Sequence, residues 1–192
     1  FLNIVLVLKK NGKVWVCVDY RDLNWASSKD DFSLLHIDML VDNIAINTIF
    51  SFMDGYLGYN QIKMVVEDSE KTFFITPWGT FCYKVIPFKL KNVKATYQRA
   101  MVTFFYDMIH KEVEVYVDDM IAKSKSECDH LMHLRKLFNR LRKYQLKLNP
   151  TKCTFKVRSG KLLRFIVSER GIEVDPDFHP LTPSQVWEGK KK

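Results

Sequence analysis

The stretch Val113–Ser124, VEVYVDDMIAKS, places the tightest constraint on how this chain can fold. Two adjacent carboxylates, Asp118 and Asp119, interrupt an otherwise apolar run. Carboxylates are costly to bury unless something pairs with them. The run is therefore expected to fold back as a hairpin with the aspartates at its tip. A second apolar segment, IFSFMD (49–54), also ends in a carboxylate. On a strand, Phe50, Phe52 and Asp54 share one face, and Ser51 and Met53 take the other. If the two segments pair, Asp54 and Asp118 meet at one edge of a sheet. Alone they would repel and raise each other's pKa. With Mg²⁺ they become ligands, because that ion takes oxygen donors and usually only one or two protein carboxylates. Two such ions ~3.5–4 Å apart could activate an attacking hydroxyl and stabilise a leaving phosphate. Taken by itself, an Asp-Asp pair is more often a pair of solvated turn residues.

The remaining pattern is mixed. Val14–Tyr20 reads as a strand that Asn11-Gly12 turns back onto Ile4–Leu8. Arg21–Asn24 is a short helical turn, and Ile37–Ile44 carries its apolar residues on one helix face. Gln61–Val66 looks like a further strand. Phe73–Thr76 and Phe81–Val85 flank the turn signal Pro77-Trp78-Gly79. Ala95–His110 reads as a helix. A long helix follows, capped by Ser126, with Leu131, Leu134, Phe138 and Leu141 along one side and Arg135, Lys136, Arg140, Arg142 and Lys143 along the other. Short strands are expected at 154–157, 162–167 and 172–174. The expected class is α+β: an antiparallel sheet backed by helices on one face, with the other face open as a cleft.

Charge is distributed unevenly. The net charge of the 192 residues is +8, yet residues 1–119 hold 13 basic and 15 acidic side chains. Residues 123–164 hold 13 basic ones against only Glu127 and Asp129. An acidic centre beside a basic lobe suits a polyanion whose reacting phosphates also need metal ions, although a solvated basic helix accounts for the composition equally well. The four cysteines are scattered without a CxxC pair, which disfavours a zinc site or a thiol enzyme. No apolar run approaches ~18 residues, so no transmembrane helix and no membrane partner are expected. The first residue is Phe1, and the chain is expected to be part of a longer one.

The motifs VCVDYRDLN, FSFMDGYLGYNQIKM, KTFFITPWGTFCYKVIPF, LKNVKATYQRAM and VEVYVDDMIAKS, followed by LNPTKCTF and GKLLRFIVSERGI, resemble in order and spacing the reverse transcriptases of gypsy-type LTR retrotransposons. The resemblance spans residues 4–176. It implies the fingers and palm of a right-hand polymerase in 1–176, with fingers near 1–48 and 64–86 and palm elsewhere. It also implies an RNA-directed DNA polymerase that adds dNTPs to a primer 3′-hydroxyl on an RNA or DNA template. The implied cofactor is two Mg²⁺ ions, with Mn²⁺ as a substitute, and the implied location is an intracellular particle or the nucleus.

By that likeness Asp54 and Asp118 are the principal metal ligands, and Asp119 completes the triad. Tyr59 matches the aromatic gate under the incoming sugar, where a ring leaves no room for a 2′-hydroxyl. Phe88, Lys89 and Gln98 fall in the nucleotide-pocket loop and its following helix. Arg21 matches a template-side residue of the fingers. Lys152 matches the lysine that protonates or clamps pyrophosphate. Leu163 and Arg164 fall in the primer grip. Outside this resemblance, Tyr59 reads as core packing and Lys152 as a surface lysine.

Several positions depart from the family pattern. Lys89 and Lys94 stand where the family has glycine, and Val93 where it has alanine. Val14-Trp15 replaces Trp-Arg, so the arginine expected on the triphosphate is missing. Arg164 replaces another glycine, and residues 177–192 no longer match and are expected to be a disordered tail. The expected result is a polymerase copy with intact carboxylates and impaired nucleotide handling. The alternatives are a catalytically dead nucleic-acid-binding remnant and an unfolded relic.

Overall fold

A computed structural model describes residues 2–8, 12, 14–32, 37–56, 58–163, 165–168 and 171–176. Its centre is a four-stranded antiparallel sheet in the order β6-β7-β3-β8, built from β3 (Ile49–Asp54), β6 (Val113–Tyr116), β7 (Asp119–Ser124) and β8 (Thr154–Val157). The apolar content of β3 and β7 suits the two middle positions, where both faces are covered. β3 pairs with β7 from Ile49↔Ser124 to Asp54↔Asp119.

The alternation expected for β3 holds. Ser51 and Met53 face one side with Met120 and Ala122. Phe50 and Phe52 face the other with Ile121. The first side packs under α4 (Val93–Phe105) and α5 (Glu127–Lys143), which contribute Tyr97, Met101, Phe105, Leu134, Leu137 and Leu141. Burying each of those leucines is worth about 1.5–3 kcal/mol. On α5 the buried stripe runs His130, Leu134, Leu137, Leu141, whereas Leu131 is exposed. The helix is therefore rotated from the face read in sequence. Ser126 caps it as expected, accepting the Asp129 N–H at 3.2 Å, and Arg140, Arg142 and Lys143 lie in its last turn, where cations suit the helix dipole. It ends at Lys143, well before Asn149-Pro150.

The second side of the sheet was expected to be open, but much of it is covered. Leu40 and Ile44 of α2 (Ile37–Ala45) pack there with Leu162 and Val167. The last two come from a three-stranded antiparallel sheet of β9 (Ser159–Leu162), β10 (Phe165–Ser168) and β11 (Gly171–Val174). Gly160 makes this close approach possible, because a Cβ there would overlap the Phe52 ring. The single strand expected over 162–167 is thus two strands joined by a turn at Leu163, whose φ is 54°.

Two small ribbons complete the fold. β1 (Ile4–Leu8) pairs with β2 (Val14–Val18), and β2 leads into α1 (Arg21–Ala26). β4 (Phe74–Thr76) pairs with β5 (Gly79–Phe81) across the two-residue turn Pro77-Trp78, so the second strand begins within the expected turn and ends at Phe81 instead of running over 81–85. The strand expected at 61–66 is only partly formed. Residues 62–64 bond to 84–86 through Met64 N–H to Lys84 O and Ile86 N–H to Ile62 O, both 3.0 Å. Val66 already opens the helix α3 (Val66–Glu70).

A buried histidine ties α5 to the sheet. His130 is 1% exposed, with Ser51 Oγ 2.7 Å from Nε2 and Ser124 Oγ 2.8 Å from Nδ1. Burial holds its imidazole below the ordinary value of 6.5, helped by the nearby charges of His133 and Lys156. As pH falls, the unfolded chain therefore takes up this proton first, and stability is lost from about 6.5 down to the folded-state pKa. We expect His130→Gln to be less stable than the parent at pH 8, by about 1–3 kcal/mol for the lost hydrogen bonds. The gap should narrow below pH ~6.5, as read by urea unfolding across pH; a gap independent of pH would contradict the assignment.

Candidate active site

The β3–β7 register sets the geometry of the site. Asp54, the last residue of β3, lies opposite Asp119, the first of β7. Asp118 precedes Asp119 in the two-residue loop Val117-Asp118. All three carboxylates thus gather at one end of the sheet. The backbone around them is pinned by Gly55 N–H to Asp118 O at 3.0 Å and Asn149 N–H to Asp54 O at 2.8 Å.

The electrostatics are those of crowded acidic groups that nearby lysines only partly offset. Burial pushes the Asp118 carboxyl up, and the charges of Asp54 and Asp119 push it further, against the pull of Lys152 and Lys94. Asp119 is raised by burial and by Asp54, again opposed by Lys152. Lys152 is the nearest relief, its Nζ 3.1 Å from Asp54 Oδ2 on a mostly exposed side chain. Asp118 Oδ1 is buried and accepts no hydrogen bond. It rests against Gly58, where any Cβ would overlap it.

A buried carboxylate oxygen without a donor, beside two more carboxylates, fits a hard divalent cation. Among the described residues no group of three or more His, Cys, Asp or Glu side chains converges closely enough to hold a metal ion by itself. Water and substrate oxygens would have to supply the remaining positions.

The other residues singled out in sequence divide into several groups. Tyr59 lies beside the carboxylates in a short 3₁₀ turn, Gly58–Gln61. It is 9% exposed, packed edge-on to Tyr97 at 5.2 Å and near Phe88 at 6.2 Å. Burial and the Asp118 charge push its hydroxyl up to about 12. Phe88 is exposed. Arg21 is exposed at the start of α1, held by Asp19 at 2.6 Å. Leu163 is exposed on the β9–β10 turn, whereas its neighbour Leu162 is core. Arg164, the tail 177–192 and the Asn11 position of the β1–β2 turn lie outside the described residues. Gln98 is 1% exposed, and its amide is spent on the β6–β7 hairpin.

The two lysines in glycine positions behave differently. Lys89 has φ 81°, a left-handed conformation that a side chain strains. Its loop is nevertheless clamped: Asn24 donates to Lys89 O at 2.9 Å and accepts Lys91 N–H at 2.7 Å. Asn92 repeats the device with Ser28 O and Asp30 N–H. Lys94 sits in the first turn of α4 without strain, and its effect is charge near Asp118.

Asn24, Asn92 and Gly58 were not singled out in sequence as site residues. An asparagine pairs with loop backbone only once the fold brings the loop near, so local sequence carried no signal for the first two. For Gly58 the signal was present as a glycine four residues beyond a strand-ending aspartate.

Comparison with known proteins identifies the family. Residues 7–167 match the family model described as reverse transcriptase (RNA-dependent DNA polymerase). The chain belongs to that family. It is 34% identical over 165 residues to the retrovirus-related Pol polyprotein from transposon 297 of Drosophila melanogaster, covering 86% of this chain and 16% of that protein. It is 32% identical over 160 residues to the corresponding polyprotein from transposon gypsy of the same species, covering 83% and 16%. A Tf2-3 transposon polyprotein of Schizosaccharomyces pombe is 30% identical over 168 residues, covering 88% and 13%.

These relatives mark the chain as a gypsy-type LTR retrotransposon reverse transcriptase domain. The chain spans about one sixth of the transposon 297 and gypsy polyproteins it matches. Among solved structures, the foamy viral protease-reverse transcriptase in complex with RNA/DNA hybrid aligns with TM-score 0.79 at 18% identity, covering 99% of this chain and 26% of that one. The foamy viral protease-reverse transcriptase dRH in complex with double-stranded DNA gives 0.80 at 19%, covering 97% and 34%. The fold is therefore that of polymerase fingers and palm, as expected.

Replacing Lys89 by glycine should remove the left-handed penalty. We expect Lys89→Gly to raise stability by about 0.5–1 kcal/mol, because the relief of roughly 1–2 kcal/mol exceeds the added chain entropy. Lys94→Gly, in a helix, should lower it by about 0.5–1 kcal/mol. Urea unfolding of the two variants checks the opposite signs.

Proposed function

We propose that this chain is an RNA-directed DNA polymerase domain that extends a primer 3′-hydroxyl with dNTPs, and that this copy does so weakly. The observation that carries the reading is the β3–β7 register, which brings Asp54, Asp118 and Asp119 to one sheet end beside Tyr59 and Lys152. Asp54 and Asp118 would hold Mg²⁺, or Mn²⁺ in its place, with Asp119 beside them. The ions supply activation of the attacking hydroxyl and stabilisation of the pyrophosphate.

The side chains do the rest. The Tyr59 ring, fixed between Tyr97 and Phe88, excludes a 2′-hydroxyl from the sugar site. Lys152 Nζ, already held beside Asp54, donates a proton or a positive charge to the leaving pyrophosphate. Exposed Arg21 would contact the template and exposed Leu163 the primer end. The RNA/DNA hybrid and double-stranded DNA named for the foamy viral enzymes support a template–primer duplex as the partner. The basic surface of 123–164 suits its sequence-independent grip.

Three features support impairment. Lys89 is strained in the pocket loop. Lys94 brings a cation near Asp118. Trp15 stands where the family has the triphosphate arginine.

The test is extension of oligo(dT) on poly(rA) with Mg²⁺ or Mn²⁺. We expect slow incorporation that Asp118→Asn reduces by at least about a thousandfold, on the scale of lost electrostatic catalysis. The combined change Lys89→Gly, Lys94→Gly, Trp15→Arg should raise the rate. Robust extension by the parent would refute the impairment. No extension by parent or combined variant, with salt-dependent duplex binding retained, would replace the enzyme by a binding remnant.

A further inference from the structure

The sheet end carries an unfavourable turn exactly one residue from its most crowded carboxylate. Tyr116 pairs with Asp119, leaving Val117-Asp118 as a two-residue loop. Val117 has φ 52°. Positive φ at the first loop position is what a type II′ hairpin turn requires, and glycine ordinarily fills it. A β-branched side chain is among the least tolerant of that conformation. Something outside the hairpin must therefore hold the loop in place.

Gln98 does so. It lies on the buried face of α4, 1% exposed, so its amide is out of solvent. Its Oε1 accepts the Val117 N–H at 2.7 Å, and its Nε2 donates to Val115 O at 3.0 Å. β6 is the edge strand of the sheet, so both groups point away from β7 and would otherwise be unpaired in the core. One side chain thus satisfies the edge strand and fixes the strained residue. The next residue along is Asp118, whose Oδ1 is held against Gly58 without a hydrogen bond of its own. The position of that carboxylate follows its backbone, which is held on the Asp118 side by Gly55 N–H to Asp118 O and on the Val117 side by Gln98.

We propose that Gln98 is a positioning residue for the metal site, acting through the Val117-Asp118 turn rather than by contact with the nucleotide. Second-sphere partners that orient a ligating carboxylate typically change metal affinity 10–100-fold when removed. This inference rests on the metal-site reading above, so the experiment separates the two.

Mn²⁺ binding to the full chain is measured by electron paramagnetic resonance for the parent, Asp118→Asn, Gln98→Met, Val117→Gly and the double variant Gln98→Met/Val117→Gly. Val117 amide exchange is followed by NMR without metal. We expect Asp118→Asn to abolish specific Mn²⁺ binding and Gln98→Met to weaken it about tenfold. Val117→Gly alone should change it little. In the double variant most of the affinity should return, because glycine adopts the turn without the clamp. Amide protection at Val117 should be high in the parent and lost in Gln98→Met, while protection along β3 and β7 persists.

Should Gln98→Met fail to fold, Gln98→Glu keeps the acceptor for Val117 and sets a carboxyl against Val115 O, with the added cost of burying its charge. It is expected to retain Val117 protection and to lie between the parent and the Asp118 variant in affinity. Parental Mn²⁺ affinity in a folded Gln98→Met, or weakened binding that Val117→Gly does not restore, would overturn the proposal. If the parent binds no Mn²⁺, the metal-site reading fails and the positioning proposal falls with it; Val117 exchange then reports only whether the clamp exists.

Discussion

The antiparallel pairing of β3 with β7 is the constraint on which the rest of the structure depends. It places two strongly apolar strands at the centre of a sheet, so both faces demand cover. α4 and α5 supply one cover, and α2 with the β9–β11 sheet supplies the other. The same pairing fixes which ends coincide. Side chains alternate with period two, so a slip of one residue would put Phe50 and Phe52 against α5 and Ser51 under β9. The His130 contacts with Ser51 and Ser124 oppose such a slip, because only this register presents both hydroxyls to one ring. The apolar core and the carboxylate cluster are consequently two results of one register.

That register creates an electrostatic cost at the sheet end. Three aspartates crowd together, two of them pushed toward the neutral form by burial and by the charge of Asp54, to which Asp119 adds at Asp118. Partial compensation comes from Lys152 on Asp54 and from the Lys94 charge. Neither reaches the buried Asp118 Oδ1, which has no donor. A protein selected for stability alone would not be expected to keep such a group, and buried unpaired acceptors gather where a missing partner completes the site. Among the non-glycine positive-φ residues, which also include His110, Gln145, Lys156 and Leu163, Val117 precedes Asp118, and Lys89 follows Phe88, whose ring centre is 6.2 Å from that of Tyr59. Val117 and Lys89 are each steadied by a side-chain amide from another segment, Gln98 for one and Asn24 for the other. Backbone strain over-determined by its surroundings is a mark of functional sites.

Much of this was legible in the sequence, and what was missed follows a pattern. The strand IFSFMD, the VDD hairpin, the Ser126 cap and the alternation of Phe50 and Phe52 against Ser51 and Met53 all depend on residues close in sequence. Local pattern suffices for them. The rotation of α5 could not be read, because Leu131 and Leu137 are equally apolar and only the tertiary position of His130 chooses between them. The covering of the second sheet face depends on Gly160 admitting β9 against Phe52, a contact over a hundred residues apart in sequence. Gln98 was legible as a site residue through its motif, but its partners were not. An amide that bonds only backbone leaves no complementary residue to find.

The two lysines show why a substitution pattern must be resolved residue by residue. Both replace glycines of the family pattern, but their backbones differ. Strain exists only where the backbone needs a positive φ, and only Lys89 has one. At Lys94 the backbone is helical, and the substitution acts through charge at the start of α4. There a cation opposes the helix dipole, yet it also lowers the repulsion felt by Asp118. Lys94 therefore favours the ionised form of the carboxylate while competing with any cation that would bind it. That combination stabilises the empty site relative to the occupied one. That balance is consistent with the weak activity proposed for this copy.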